Sequence, residues 1–181
     1  MTKKIALLRG INVGGKRKIL MADLRQLLEE IGFTDVKTYI QSGNVIFSQK
    51  EEQSNLEIAK AIEKVIADNY DFAVPVVVRT RQEWEKAINE SPYYQADMED
   101  ISQLHLTFLK EKPTKENQEK TESFDYPPDK FTIKNTEIYI LCLGKYHKTK
   151  LSYTFFEKKL KVSTTTRNWK TVLKLLELSQ A

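Results

Sequence analysis

Glycines and cations are concentrated between Arg9 and Lys18, in the stretch RGINVGGKRK. Three glycines and four cations lie in these ten residues, together with Asn12 and without a carboxylate. Glycine allows positive φ angles and close approach of the backbone to a ligand, and successive amides near a helix start form a donor surface for anions. The stretch therefore indicates binding of a negatively charged ligand, but it specifies neither the ligand nor a reaction.

The same stretch contains the pattern G-x-x-x-x-G-K, which opens the Walker A phosphate-binding loop. Arg17 stands where that motif needs a hydroxyl to hold Mg²⁺, and no apolar strand ends in a Walker B aspartate. The dinucleotide fingerprint G-x-G-x-x-G is also missing. These observations argue against a P-loop ATPase or a Rossmann protein. A purely structural alternative is that the glycines only turn a strand into a helix, with the lysines in solvent.

The elements around this stretch follow the order β-α-β-β-α-β, which is typical of a ferredoxin-like sandwich. In that topology the end of the first strand and the second-to-third hairpin share one edge of the sheet. We therefore expect Gln41, Ser42 and Asn44 to face the glycine-rich loop. Periodicity and capping signals predict strands over 4–9, 35–41, 44–48 and 74–78, and helices over 21–31 and from a capping box at Ser54 and Glu57.

A second set of elements follows a helix capped by Thr80 and Glu83 and an acidic, aperiodic junction at 91–102. The fold class is α+β, with two ferredoxin-like units in tandem, over 1–92 and 103–181, and a C-terminal helix. The second set is predicted as a strand over 104–109, a polar helix over 114–123, a hairpin of 131–134 with 137–143, a helix containing Leu151, Phe155 and Leu160, a strand over 162–166, and a closing helix with Trp169, Val172, Leu173 and Leu176 inward.

Charge is unevenly distributed although the net charge is only +4. Residues 145–170 carry eight cations against Glu157 alone, and residues 81–100 are mainly acidic. Such clustering favours an anionic partner, a nucleotide or nucleic acid, or a homo-oligomer in which opposite faces meet. Two solvated faces of opposite sign would explain it equally well.

Cys142 is the only cysteine, so no internal disulfide can form and a cytoplasmic location is expected. It alternates into an apolar strand and is predicted to be an inert core thiol. His105 is interpreted as structural and His147 as solvated, and their spacing predicts neither a bound metal nor a cofactor. No stretch reaches the length of a membrane span, so no membrane association is expected.

A second basic loop, GKYHKTK at 144–150, enters a helix with Thr149 or Ser152 as its N-cap. In TTTRNW at 164–169, Asn168 is suited to capping the last helix and Trp169 to anchoring it. Arg167 could instead join an anion pocket. The full set of candidate anion ligands is Arg9, Gly10, Asn12, Gly14, Gly15, Lys16, Gln41, Ser42, Asn44 and Arg167.

Three segments, ALLRGINVGGK, MADLRQLLEEIGFTDVKTYIQSGNVIF and TTRNWKTVLKL, make the chain resemble the bacterial family catalogued as domain of unknown function 1697. The resemblance implies two ferredoxin-like halves in a cytoplasmic protein, and it implies no activity, cofactor or catalytic residue. Its motif positions here are Arg9 to Lys16, Gln41 to Asn44 and Thr165 to Trp169.

The favoured function is binding of a phosphate-bearing ligand, a nucleotide or nucleic acid backbone, at the glycine-rich loop. Tyr39 and Phe47 could stack on bases as in an RRM, although the RNP1 signature is absent and core packing explains them as well. One alternative is an enzyme of unassigned reaction class, with its site between the loop and the 41–44 hairpin. The other is a protein-interaction module.

Overall fold

The computed structural model describes residues 1–50 and 52–181. The chain divides into two compact units, one of Met1–Glu85 with Leu175–Ala181 and the other of Lys86–Lys174. Each unit contains a four-stranded antiparallel sheet whose strand order is that of a ferredoxin-like sandwich. Within the described residues, every helix is too short or too polar to cross a membrane.

The elements that begin in the first unit are β1 (Thr2–Leu8), α1 (Met21–Glu30), β2 (Thr34–Tyr39), β3 (Asn44–Gln49), α2 (Asn55–Asn69), β4 (Val76–Thr80) and α3 (Arg81–Asn89). Its sheet has the order β2-β3-β1-β4, and α3 continues into the second unit from Lys86. Proline at 75 precedes the edge strand β4, where a missing amide donor is tolerated.

The elements that begin in the second unit are β5 (Leu104–Leu109), α4 (Lys115–Glu122), β6 (Lys130–Lys134), β7 (Glu137–Leu141), α5 (Tyr153–Leu160), β8 (Thr164–Asn168) and α6 (Trp169–Gln180). The sheet repeats the arrangement of the first with the order β6-β7-β5-β8, and α6 continues into the first unit from Leu175. A 3₁₀ turn, Tyr146–Lys148, lies in the connection from β7 to α5.

The helix starts follow the capping signals of the sequence. Ser54 and Glu57 form a complete capping box on α2, and Thr80 and Glu83 exchange the same two hydrogen bonds at the start of α3. Of the two candidates for α5, Ser152 is the N-cap. The expected facing of α6 is wrong in part, because Leu175 is fully buried with Trp169 and Val172 while 173 and 176 are only half-buried.

In the first sheet β1, β3 and β4 are mostly buried on both faces, whereas in the edge strand β2 only Val36 is buried. Ile5, Ala6, Leu7 and Leu8 alternate in direction along β1, and none is more than 1% exposed. Phe47 lies in the core, where its ring stacks on Phe33 at 4.4 Å between centroids. An RRM reads RNA on an open sheet face with exposed aromatics, and the central strand of this sheet offers no such surface.

Candidate anion-binding site

The glycine-rich stretch forms a small β-hairpin. Val13 pairs with Lys16, whose amide donates to the Val13 carbonyl at 3.0 Å. Gly14 and Gly15 form the tip with φ of 57° and 72°, the pair of positive angles that a type I′ turn requires. The helix α1 starts only at Met21, with Leu20 as its N-cap. The tip is therefore a hairpin turn and not the first turn of a helix.

Asn12 closes the base of this hairpin. Its Nδ2 donates to the carbonyls of Ile19, at 3.0 Å, and Gln41, at 2.9 Å, while its Oδ1 accepts from the Ile19 amide at 3.0 Å. Its φ is 54°, in the left-handed region that asparagine tolerates better than most residues. Because both amide hydrogens are donated within the chain, Asn12 positions the loop and has no N–H left for a ligand.

Asn44 plays the corresponding part in the β2–β3 turn. It is fully buried, and its Nδ2 donates to the Tyr39 carbonyl and to Ser42 Oγ, both at 3.0 Å. The side chain of Asn44 therefore holds the turn closed. It has no donor to spare for an anion.

The two loops converge as the topology predicted. The Leu8 amide donates to the Gly43 carbonyl at 2.8 Å, and Asn12 reaches Gln41 across the same edge. Gly43 has φ of 87°, and a Cβ there would lie 2.6 Å from Leu8 Cβ. Only glycine fits this crossing of the turn over the end of β1.

The cations of the loop differ in their surroundings. Arg9 is half-buried, and its amide donates to the Pro75 carbonyl at 3.0 Å. The Arg17 side chain folds back towards Gly10, bringing one guanidinium nitrogen to 3.4 Å from where a Cβ would stand. Lys16, Arg17 and Lys18 are all exposed, and none forms an ion pair with a residue that the structure describes.

The tip amides are equally accessible. Gly14 and Gly15 are exposed, and within residues 1–50 and 52–181 neither amide donates a hydrogen bond. Two adjacent free amides next to three unpaired cations form a surface that can hydrogen-bond to and attract an anion. This surface, comprising Gly14 to Lys18, is called the basic hairpin below.

Three exposed apolar side chains flank the residues that Asn12 ties together, and the sequence analysis missed them. Val13 follows Asn12 and is 64% exposed, Leu20 follows Ile19 at 69%, and Ile40 precedes Gln41 at 51%. Ile40 also has φ of 50°, an unusual angle for a β-branched residue. Alternation cannot reveal such residues, because they lie in loops.

Arg167 belongs to the second unit and lies on β8. Its guanidinium donates to Thr165 Oγ1 and to the Thr166 carbonyl, both at 2.9 Å, so part of its donor capacity is used on its own strand. Asn168 caps α6, since its Oδ1 accepts from the Thr171 amide at 2.9 Å. The capping interpretation of this stretch is thus confirmed.

Two tandem ferredoxin-like units, the first with a clamped basic hairpin after β1, define the class of protein. The chain belongs to the family described as protein of unknown function (DUF1697), whose model matches residues 1–139. It is similar to the solved structure of the conserved bacterial protein SP0830 from Streptococcus pneumoniae, with 27% identity, a TM-score of 0.78 and coverage of 98% of each chain. No curated protein matches the chain.

Proposed function

We propose that this protein binds a phosphate-bearing polyanion through the basic hairpin. The observation that carries the proposal is the arrangement of Lys16, Arg17 and Lys18, exposed and without acidic partners among the described residues, beside the free amides of Gly14 and Gly15. Phosphate oxygens accept hydrogen bonds from both kinds of donor. The hairpin supplies both within a few residues.

The shape of the hairpin favours a nucleic acid backbone over an enclosed nucleotide. All five residues from Gly14 to Lys18 are exposed, so the donors project from the surface. A projecting cationic loop can follow a chain of phosphates, and such contacts give affinity without base readout. The Asn12 clamp keeps the loop closed before binding and so limits the entropy lost on association.

A fluorescence anisotropy titration of a labelled RNA oligonucleotide at several salt concentrations tests the proposal. Each phosphate that the protein neutralises adds about 0.7 to the slope of log K against log salt for a single strand. Replacing Lys16 and Arg17 together with Ala should weaken binding at least about tenfold and reduce that slope by about 1.4.

Lys60→Ala is the matched control, because Lys60 is an exposed lysine on α2 of the same unit. It should leave both the affinity and the slope unchanged. A double variant that binds RNA as tightly as the parent would disprove the proposal, and the glycines would then serve only the turn.

A second candidate function, protein interaction through the same edge, is favoured by Val13, Leu20 and Ile40. Exposed apolar residues clustered at one site are typical of interfaces, and the backbone of Ile40 is held at a costly angle. Light scattering over a concentration series would show a rising mass if two copies associate here. Val13→Ser with Ile40→Ser should abolish that rise, and a constant monomer mass in the parent would exclude a homo-oligomer.

A further inference from the structure

Four lysines of the second unit line one cavity of about 450 Å³ between α4 and α5: Lys120, Lys158, Lys159 and Lys161. Asn117, Thr121, Ser123 and Phe124 complete the lining, which contains no carboxylate. Lys120 bonds to Glu116 at 2.5 Å, but among the described residues the other three lysines have no acidic partner. A helix C-terminus attracts one or two cations. Two helix C-termini alone do not account for four lysines around one cavity.

A second cavity of about 520 Å³ adjoins the first, since Ser123 and Phe124 line both. Its lining is rich in aromatic rings, namely Tyr93, Phe124, Tyr126 and Phe131. The rings of Phe124 and Tyr126 lie 6.1 Å apart at 17°, and both pack against the edge of Phe155 at 5.6 Å. This packing fixes the rings in place, while Lys159 Nζ lies 4.3 Å from the centre of the Phe124 ring and Lys150 Nζ 5.3 Å from that of Tyr126. The rings can act as a stacking platform once these ammonium groups turn towards a bound phosphate.

Carboxylates occur only on the aromatic side. Asp125 lines that cavity, is exposed and has no hydrogen bond to any described residue. Asp129 also lines it, but its oxygens are occupied by the Leu143 amide at 3.0 Å and Thr149 Oγ1 at 2.5 Å. Glu122 lines it too, and one of its oxygens accepts from Gln118 Nε2 at 3.0 Å. The cleft therefore has a cationic end without acids and an aromatic end with three carboxylates, of which only Asp125 has no hydrogen bond to a described residue.

We propose that this two-part cleft binds a nucleoside polyphosphate. Its phosphates would lie among the lysines, which attract them, and its base would stack on the rings. Asp125 would accept from a ribose hydroxyl or an exocyclic amine, while its charge keeps the phosphates at the other end. Each cavity has the size of a small-molecule site. The cleft lies wholly in the second unit and does not depend on the basic hairpin.

Isothermal titration of the full chain with ATP and with inorganic tripolyphosphate separates the two halves of the cleft. A stacked base is worth about 5- to 150-fold in affinity, so ATP should bind more tightly than tripolyphosphate by that factor. Lys158→Gln with Lys161→Asn should weaken both ligands at least about tenfold. Asparagine is chosen at 161 because that residue has φ of 60°.

Tyr126→Ala should weaken ATP and leave tripolyphosphate unchanged, and a thermal unfolding curve shows whether the variant is folded. If the variant is unfolded, chemical shift changes of the Tyr93 and Phe131 amides, which line only the aromatic cavity, test the position of the base. In the parent they should appear on adding ATP and not on adding tripolyphosphate. Lys115→Ala is the matched control, since this lysine of α4 is 90% exposed and does not line the cleft. It should bind ATP like the parent.

Two results would overturn the inference. One is tripolyphosphate binding as tightly as ATP, which would leave the rings without a role. The other is ATP binding that survives in the Lys158 and Lys161 variant but is lost in the Lys16 and Arg17 variant, which would place the nucleotide at the hairpin. If the Lys16 and Arg17 variant loses RNA binding but still binds ATP, the cleft is independent of the hairpin. Each proposal can therefore be disproved without the other.

Discussion

Arg79 and Arg167 occupy the same position in the two units. Each is the fourth residue of the last strand of its unit, where it pairs with the first strand opposite Ile5 and Leu106 respectively. In both residues one guanidinium nitrogen donates to the carbonyl of the preceding residue at 2.9 Å. The correspondence between the halves thus extends from the order of elements to an individual side-chain interaction.

The next residue repeats as well, because Thr80 and Asn168 cap the helices that follow directly. Thr80 Oγ1 accepts from the Glu83 amide at 3.1 Å, and Asn168 Oδ1 accepts from the Thr171 amide at 2.9 Å. Thr80→Ala and Asn168→Ala should each lower the free energy of unfolding by about 0.5–2 kcal/mol in urea denaturation. Thr80→Ser and Asn168→Asp retain an acceptor and should lose much less. If Thr80→Ser lost as much stability as Thr80→Ala, and Asn168→Asp as much as Asn168→Ala, the capping role would be contradicted.

Cys142 is buried as predicted, with 1% of its surface exposed, although it follows the last residue of β7, Leu141, and does not lie in the strand. Burial raises the pKa of the thiol, whose Sγ lies 3.5 Å from the Gly144 carbonyl and 3.7 Å from Asp129 Oδ2. Because the thiolate is the reactive form, the native protein should react with an aromatic disulfide reagent at least about a hundredfold more slowly than the protein in urea. Cys142 is the only cysteine, so the signal is unambiguous. Comparable rates would place the thiol at the surface.

His105 should make stability depend on pH. Its ring stacks on Tyr146 at 4.2 Å, and burial lowers its pKa below the ordinary value of 6.5. The unfolded chain therefore binds a proton at a higher pH than the native chain does. The contribution of neutral His105 to the free energy of unfolding is therefore complete above pH 6.5. It is lost as the pH falls from there through the pKa of the native state.

His105→Phe keeps an aromatic ring against Tyr146 but cannot titrate. Its free energy of unfolding, measured in urea between about pH 7 and pH 5, should fall less steeply than that of the parent. Parallel curves for the two proteins would show that His105 is not the group responsible.

The element order was predictable because it depends on local signals. Apolar periodicity and the pairs Ser54 with Glu57 and Thr80 with Glu83 lie within a few residues of each other, and each marks an element correctly. The facing of α6 depends on which side is covered by the rest of the molecule. The i, i+3, i+4, i+7 repeat counted from Trp169 selects Leu173, and only the structure shows that Leu175 is the fully buried leucine.

The position of the candidate site could be predicted from the sequence, but the roles of its individual residues could not. The topology correctly brought the 41–44 turn to the loop after β1, since strand order determines which ends meet. Nothing in the local sequence shows that Asn12 bonds a carbonyl 29 residues away. The cleft of the second unit was also missed, because its lysines and rings come from four separate segments of weak periodicity.

Gly43 is where the fold constrains the site most tightly, and a pair of alanine substitutions tests this. Gly43→Ala would place a Cβ 2.6 Å from Leu8 Cβ, 3.0 Å from Ile11 Cδ1 and 3.1 Å from the Leu8 carbonyl oxygen, at φ of 87°. The backbone angle costs about 1–2 kcal/mol and overpacking typically adds 1–3 kcal/mol. The free energy of unfolding in urea should therefore fall by about 2–5 kcal/mol.

Gly14→Ala is the matched control, since Gly14 also has a positive φ, 57°, but no atom lies within 4 Å of the added Cβ. It should lose only the backbone part, about 1–2 kcal/mol. Gly144→Ala, in open space without a positive φ, should change stability little. The loss in the free energy of unfolding should decrease in the order Gly43, Gly14, Gly144, which separates the cost of close packing from that of backbone strain. Equal losses at 43 and 14 would mean that the turn moves away from β1 at little cost, and the edge that positions the basic hairpin would then be far softer than its hydrogen bonds indicate.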